Sequence, residues 1–276
     1  MAADAAALVA RLDARATRHV TPFGDGSMVW REWGAGRPVA LLHGASGSWT
    51  HWIRNVAPLA ERRQVFAADM PGFGDSDAVP EPHTAAALAD RVTAALDALV
   101  PPPATVDIAG FSLGGIIGGL VAARLGRRVR TLVLIGPGGL GLPSVPAPPL
   151  RRLDSATDDE IVAVHRDNLG RLMIANPEAI DDLAVVVQID NVRRARFKSG
   201  AIPLSDVLLA ALPSVEARIV GIWGERDVYV GPYVDDRRRL LARFQPDLDF
   251  RVVAGAGHWV IYEAADDVNA ALATIL

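Results

Sequence analysis

From residue 38 onward, short continuous apolar runs alternate with stretches whose apolar residues recur at helical spacing. "PVALLHG" (38–44), "QVFAAD" (64–69), "TVDIAGFS" (105–112) and "VRTLVLIG" (129–136) read as buried strands. Between them, "WTHWIRNVAPLAER" carries Trp49, Trp52, Ile53 and Val56 at helical spacing. "TAAALADRVTAALDAL" is a strong helix stopped by "PPP" (101–103), and "LGGIIGGLVAARLG" is a second. Ahead of this alternation, an Ala-rich helical stretch leads into two strands, "RHVTPF" and "SMVWREWG", joined by the turn signal "GDG". The pattern breaks after residue 136 in the Pro/Gly-rich "GPGGLGLPSVPAPP", and residues 150–213 contain helical periodicity without a convincing strand. Alternation resumes with "ARIVGIWGERD", a helix around "DDRRRLLARF", "DFRVVAGAGH" and a last helix ending in "ALATIL". Continuous apolar strands separated by helices predict an α/β protein with a parallel sheet covered on both faces. The interruption predicts a helical insertion after the sixth strand.

Composition narrows the picture in three ways. With 276 residues, 50% hydrophobic and 22% charged, the chain has enough apolar side chain for one large core. A formal charge of −4 argues against general affinity for nucleic acid or an anionic membrane, and acidic neighbours balance "RRVR" (127–130) and "RRR" (237–239). The chain has no cysteine, so disulfides, thiolate metal sites and cysteine nucleophiles are outside its chemistry. Asp4, Arg11 and Asp13 interrupt the apolar run a signal peptide would need, and no charge-free stretch reaches membrane-spanning length. A soluble, cytoplasmic protein is expected.

The chemistry gathers at strand ends. Gly110-Phe111-Ser112-Leu113-Gly114 has the form G-x-S-x-G at a strand-to-helix junction. Such a turn exposes the serine hydroxyl above the sheet, next to a helix N-terminus that favours negative charge. A serine nucleophile needs a base, and the base needs an orienting acid. His258 follows the last strand in "GAGHWV", and Asp227 ends the strand before it in "WGERD". Open α/β sheets place their ligand crevice at these carboxyl ends, and the order Ser112, Asp227, His258 is the one expected with this nucleophile turn. Glu225, Asp235 and Asp236 are the other acids nearby, the last two expected on the following helix.

Acyl transfer also needs fixed N–H donors for an oxyanion. The backbone N–H groups of Ala45, in "LLHGASGSW" (41–49), and of Leu113 are the candidates. His43 is expected to brace that loop, and Ser46 and Ser48 to add a donor or touch substrate. Trp49, Trp52 and Trp259 are candidates to line an acyl pocket. "GPGGLG" (136–141) satisfies G-x-G-x-x-G, but the prolines after it forbid the helix that dinucleotide binding requires. The six histidines form neither H-x-x-x-H nor H-E-x-x-H. No cofactor and no metal are expected.

"LLHG", "DMPGFGDS" (69–76), "GFSLGG", "GERD" and "GAGH" occur in the order and approximate spacing of the α/β-hydrolase superfamily, which this sequence resembles over residues 20–276 apart from 141–212. The resemblance implies a mostly parallel sheet of about eight strands with helices on both faces. Core segments would span 1–140 and 213–276, with a helical cap over 141–212. It also implies that Asp69 and Gly72 hold backbone turns. A serine nucleophile is similar to esterases, lipases, C–C bond hydrolases and cofactor-free perhydrolases; epoxide hydrolases and haloalkane dehalogenases carry Asp there. His258-Trp259 resembles the ending of C–C hydrolases acting on ring meta-cleavage products, whose cap arginine holds a substrate carboxylate; Arg193, Arg194 and Arg196 in "NVRRARF" are the counterparts offered here. Those enzymes carry Asn before the serine and a longer loop after His-Gly, where this chain has Phe111 and "ASGS". The expectation is a serine carboxylesterase on small to medium esters, acting through an acyl-enzyme. C–C hydrolysis is the alternative within the family, and a non-catalytic small-molecule receptor the alternative of another class. Ser46, Phe111, Trp49, Arg193, Arg194 and Trp259 are the candidate substrate contacts. The expected partner is a small-molecule substrate, with no nucleic acid and no membrane; a homodimer is possible.

Overall fold

A computed structural model describes residues 2–24, 26–153 and 157–276. Eight strands form one sheet: β1 (Thr17–Phe23), β2 (Gly26–Trp33), β3 (Arg37–Leu42), β4 (Arg63–Asp69), β5 (Val106–Phe111), β6 (Val129–Ile135), β7 (Arg218–Gly224) and β8 (Asp249–Val253). Their order is β1-β2-β4-β3-β5-β6-β7-β8. β1 pairs antiparallel with β2, and β2 with β4; every other neighbouring pair is parallel. β5 is buried along its whole length, which is why it reads as an unbroken apolar run, whereas edge strand β1 is mostly exposed.

The chain runs from β3 outward to β4, then returns across β3 to lay down β5 on its other side. The strand order therefore reverses between β3 and β5, opening a crevice above their carboxyl ends. Parallel register brings further strand ends to the same edge: Leu42 pairs with Gly110, Phe111 with Ile135, Ile135 with Ile222, and Gly224 with Val253.

Helices cover both faces. α1 (Ala2–Ala14) and α2 (Val56–Ala60) lie on one face, and α3 (Ala85–Leu99) and α4 (Leu113–Leu125) on the other. The Thr84 hydroxyl caps α3 by accepting from the Ala87 N–H at 3.1 Å. α4 is buried from Leu113 through Ala122, so it shows no polar face in the sequence. The single helix expected over "WTHWIRNVAPLAER" is divided. A 3₁₀ turn spans Trp49–Trp52, and α2 begins only at Val56. Pro58 supplies the reason: a helix continuous through residue 54 would bring its ring against a carbonyl and lack its N–H, while the first turn of α2 tolerates it.

Between β6 and β7 the described residues contain no strand. α5 (Asp158–Leu172) and α6 (Asp182–Arg194) pack on each other, and α6 also meets α1. α7 (Val207–Ala211) returns beneath α4, where Leu208 is fully buried, so the end of the insertion shares the main core. α8 (Val234–Leu241) follows β7, and α9 (Val260–Glu263) and α10 (Ala265–Ile275) follow β8. Among the described residues no helix is long and apolar enough to cross a membrane.

Candidate active site

β5 ends at Phe111, and Ser112 takes φ +52° and ψ −116° before α4 begins. A side-chain-bearing residue rarely adopts that conformation, which costs roughly 1–3 kcal/mol and turns the side chain out of the sheet. The Ser112 N–H donates to the Ile135 carbonyl at 2.8 Å, and the Ser112 carbonyl accepts from Gly115 at 2.9 Å. The two flanking glycines are required by contact. A Cβ on Gly110 would stand 2.2 Å from the Gly114 carbonyl oxygen, and one on Gly114 2.2 Å from that of Leu42.

His258 lies in the loop between β8 and α9. Its Nε2 is 3.0 Å from the Ser112 hydroxyl, and its Nδ1 is 2.7 Å from Asp227 Oδ2. The other Asp227 oxygen accepts the Tyr229 N–H at 2.9 Å, and the carboxylate is buried. A carboxylate only accepts, so Nδ1 carries the proton and Nε2 is left to accept from Ser112. Glu225 faces elsewhere, accepting the Gly255 N–H at 2.8 Å. Asp235 and Asp236 fall on α8, as expected, beside Arg238 and Arg239.

The loop carrying His258 is held from below. Glu263 accepts N–H bonds from Gly257 at 2.7 Å, Ala175 at 3.0 Å and Asn176 at 2.7 Å, joining this loop to the insertion. The Trp259 backbone N–H donates to the Met173 carbonyl at 2.7 Å, and its indole N–H to the His51 carbonyl at 3.0 Å. Sequence reasoning missed Glu263, because a glutamate in a short helix carries no signal of the loops it will meet.

Two buried histidines hold the loop after β3. His43 Nδ1 donates to the Gly44 carbonyl at 2.7 Å, and its Nε2 accepts the Met70 N–H at 2.9 Å. His51 Nδ1 accepts the Gly44 N–H at 3.2 Å. Because a trans peptide sets N–H opposite C=O, holding the Gly44 carbonyl also sets the direction of the Ala45 N–H. Leu113, the first residue of α4, has an N–H with no partner within the helix. Burial, opposed by the Gly44 bond and the Asp69 charge, lowers the His43 pKa to about 4. Burial also pushes His51 well below its ordinary value, aided by His43 and His258.

The His43 shift gives a stability prediction. The unfolded chain binds this proton near pH 6.5, while the folded protein refuses it until about 4. The contribution is therefore complete above 6.5 and is lost as pH falls toward 4, by about 3 kcal/mol. His43→Gln is expected to flatten that part of the fall in urea-unfolding free energy. An unchanged slope would mean that His43 is not held neutral.

A cavity of about 550 Å³ opens at Ser112 and His258, lined also by Gly44, Ala45, Phe111 and Tyr229. Phe111 lies 5.1 Å, ring to ring, from His258, and Tyr229 4.6 Å on another side. Burial, and then the Asp227 charge, raise the Tyr229 pKa to about 12. The "GPGGLG" segment forms another wall, and Met173 and Leu204 of the insertion approach it. Arg237 of α8 lines the cavity too, although the sequence marks it only as one of a basic run.

Several expected contacts lie elsewhere. Ser46, Trp49, Trp52, Trp259, Arg193, Arg194 and Arg196 are not among the cavity-lining residues. Trp49 packs on Trp33 at 5.3 Å, and its backbone N–H donates to Asp69 at 2.8 Å. Trp52 is buried in the core, and Trp259 stacks on Tyr262 at 4.2 Å. Ser46 occupies a tight turn at φ +49°, and Ser48 caps the 3₁₀ turn, accepting the Thr50 N–H at 3.2 Å. Arg193 pairs with Asp190 at 3.0 Å, whereas Arg194 pairs with Asp75 and Asp190. Arg196 donates to the Gly74 and Ser76 carbonyls. Arg194 and Arg196 thus fasten the insertion to the loop after β4, where carboxylates and free carbonyls compete for them. In that loop Asp69 accepts from Arg31 at 2.9 Å and Asp75 N–H at 3.0 Å, and Gly72 turns at φ +86°. Among the described residues no group of three or more His, Asp or Glu is placed to hold a metal ion.

Residues 39–271 match the alpha/beta hydrolase family. Over 253 residues the chain is 30% identical to the dihydrolipoyllysine-residue acetyltransferase component of an acetoin cleaving system from Pseudomonas putida, covering 87% of this chain but only 64% of that protein. It is 28% identical over 252 residues to 2-hydroxy-6-oxo-6-phenylhexa-2,4-dienoate hydrolase of Burkholderia cepacia, covering 86% of each. Naproxen esterase (carboxylesterase NP) from Bacillus subtilis superimposes with a TM-score of 0.76 at 20% identity, covering 98% of this chain and 96% of that one.

Proposed function

This chain belongs to the alpha/beta hydrolase family, and from that premise we propose that it is a serine carboxylesterase acting on small to medium esters through an acyl-enzyme. The relay from Ser112 through His258 to Asp227, opening on a largely apolar cavity, carries the reading. In the proposed reaction, His258 Nε2 removes the Ser112 proton as Oγ attacks the ester carbonyl carbon. Asp227 keeps the proton on Nδ1 and stabilises the imidazolium. The oxyanion is received by the N–H groups of Ala45 and Leu113, donors of a kind each worth about 3–4 kcal/mol in the transition state. Collapse of the tetrahedral intermediate breaks the bond to the alcohol oxygen, which leaves with the proton from His258. Water then attacks the acyl carbon, His258 again takes a proton, and the carboxylic acid departs as Ser112 is restored.

C–C bond hydrolysis is the second reading, favoured by the similarity to the Burkholderia cepacia dienoate hydrolase along 86% of each chain. Ser112 and His258 keep their places in it, but a proton reaches a substrate carbon before the bond breaks.

Treatment with a fluorophosphonate, read by intact mass, tests the common premise. One adduct on the wild-type protein and none on Ser112→Ala is expected. A folded wild type that takes no adduct would favour a non-catalytic binding protein. A panel of p-nitrophenyl esters beside a dienoic meta-cleavage acid then separates the two reactions.

A further inference from the structure

Arg237 is 5% exposed, and it is the one Arg or Lys among the described residues lining the cavity that holds Ser112 and His258. Its Nη1 donates to the Tyr233 carbonyl at 3.1 Å, and its Nη2 to the Pro143 carbonyl at 2.5 Å. Its Nε is buried and meets no acceptor among the described residues. No carboxylate among them comes within ion-pair distance either. Asp227 and Asp236 lend their fields, but Asp227 is committed to His258 and Tyr229, and Asp236 to Arg239. Burial lowers the Arg237 pKa, as expected of a charge removed from water without a counter-ion.

A buried guanidinium answered only by carbonyl dipoles is costly, and an apolar side chain of similar volume would fill the same space without that cost. The bond to Tyr233 at the N-cap of α8 and the tether to the segment at Pro143 account for one donor each and leave Nε unexplained. The rest of the cavity is formed chiefly by Phe111, Leu140, Leu142, Val145, Met173 and glycine backbone, so an anion entering it finds one fixed cationic side chain.

We infer that Arg237 anchors a carboxylate carried by the substrate, so that the cavity selects an apolar molecule with an anionic end. This rests on the reading of the cavity as the substrate site. The anchor stands outside the insertion: α8 follows the β7 loop that carries Asp227. The carboxylate would form charge-assisted hydrogen bonds with the guanidinium donors left over by Tyr233 and Pro143.

The test is equilibrium binding rather than turnover, so it stands apart from the fluorophosphonate experiment. Calorimetry on full-length Ser112→Ala protein compares 4-phenylbutanoate with its neutral isostere 4-phenylbutanamide. The acid is expected to bind at least tenfold more tightly, with an advantage that shrinks in high salt. Arg237→Met should bring the acid-to-amide ratio close to one, and Arg237→Lys should keep part of it. A merely structural role would lower thermal stability and weaken both ligands alike, leaving the ratio unmoved. Equal affinities in the parent protein, binding of neither ligand, or an acid preference that survives Arg237→Met would each overturn the assignment. If Arg237→Met does not fold, a full acid preference in Arg237→Lys together with insensitivity to salt would do the same. A fluorophosphonate adduct with no acid preference would sink the anchor alone; acid preference without an adduct would sink the catalytic reading alone.

Discussion

Ser112→Ala is expected to lower kcat by a factor of about 10⁵–10⁶ while leaving the protein folded. The substitution removes one oxygen, which is hydrogen-bonded to His258. Alanine keeps the Cβ, so the turn at φ +52° is no more strained than before, and the backbone bonds to Ile135, Gly115 and Ile116 remain. Thermal stability should therefore stay close to wild type. What disappears is the atom that attacks the carbonyl carbon, and His258 alone has no bond to make in its place. The residual rate should be that of water in a site that still binds substrate and still presents its N–H donors. Steady-state rates on the best p-nitrophenyl ester, with circular dichroism as the control for folding, decide the matter. A folded variant retaining more than a tenth of wild-type kcat would remove Ser112 from the chemistry.

Asp227→Asn should cost about 10⁴ in kcat without disturbing the geometry. The side chain is buried, and one of its oxygens accepts the Tyr229 N–H at 2.9 Å. An asparagine must keep its carbonyl oxygen on that N–H, which turns its amide NH₂ toward His258 Nδ1. A donor there forces the imidazole proton onto Nε2, and Nε2 can no longer accept from Ser112. The defect is in protonation rather than in position, so substrate KM should move far less than kcat. A loss below tenfold would mean that another acid orients His258. Glu225 is the neighbour to examine then, although its carboxylate already accepts from Gly255.

Ser112, Asp227 and His258 can be singled out from the sequence because each stands just past an apolar run, and because a strand-to-helix turn around a serine demands glycine on both sides. These are local demands, written in neighbouring residues. The strands β3 through β7 are readable for a similar reason: burial on both faces leaves little place for a polar residue along most of their length, whereas edge strand β8 is half-buried throughout and carries Asp249 and Arg251. Pro58 shows the limit of periodicity alone, since the apolar spacing from Trp49 to Val56 continues through a point where the backbone cannot remain one helix.

The cavity wall is a different matter. Arg193, Arg194 and Arg196 sit in a segment where a substrate carboxylate could have been met, yet carbonyls and carboxylates of their own chain claim them. Arg237 is indistinguishable in sequence from Arg238 and Arg239, and the turn of α8 alone buries it while its neighbours remain exposed or half-exposed. The sequence by itself determined the alternation of strand and helix and the three residues at the strand ends, because backbone sterics and continuous burial act within a few residues. Tertiary structure alone decided which side chains surround the serine, because the face a helix turns inward depends on packing partners far away in the chain.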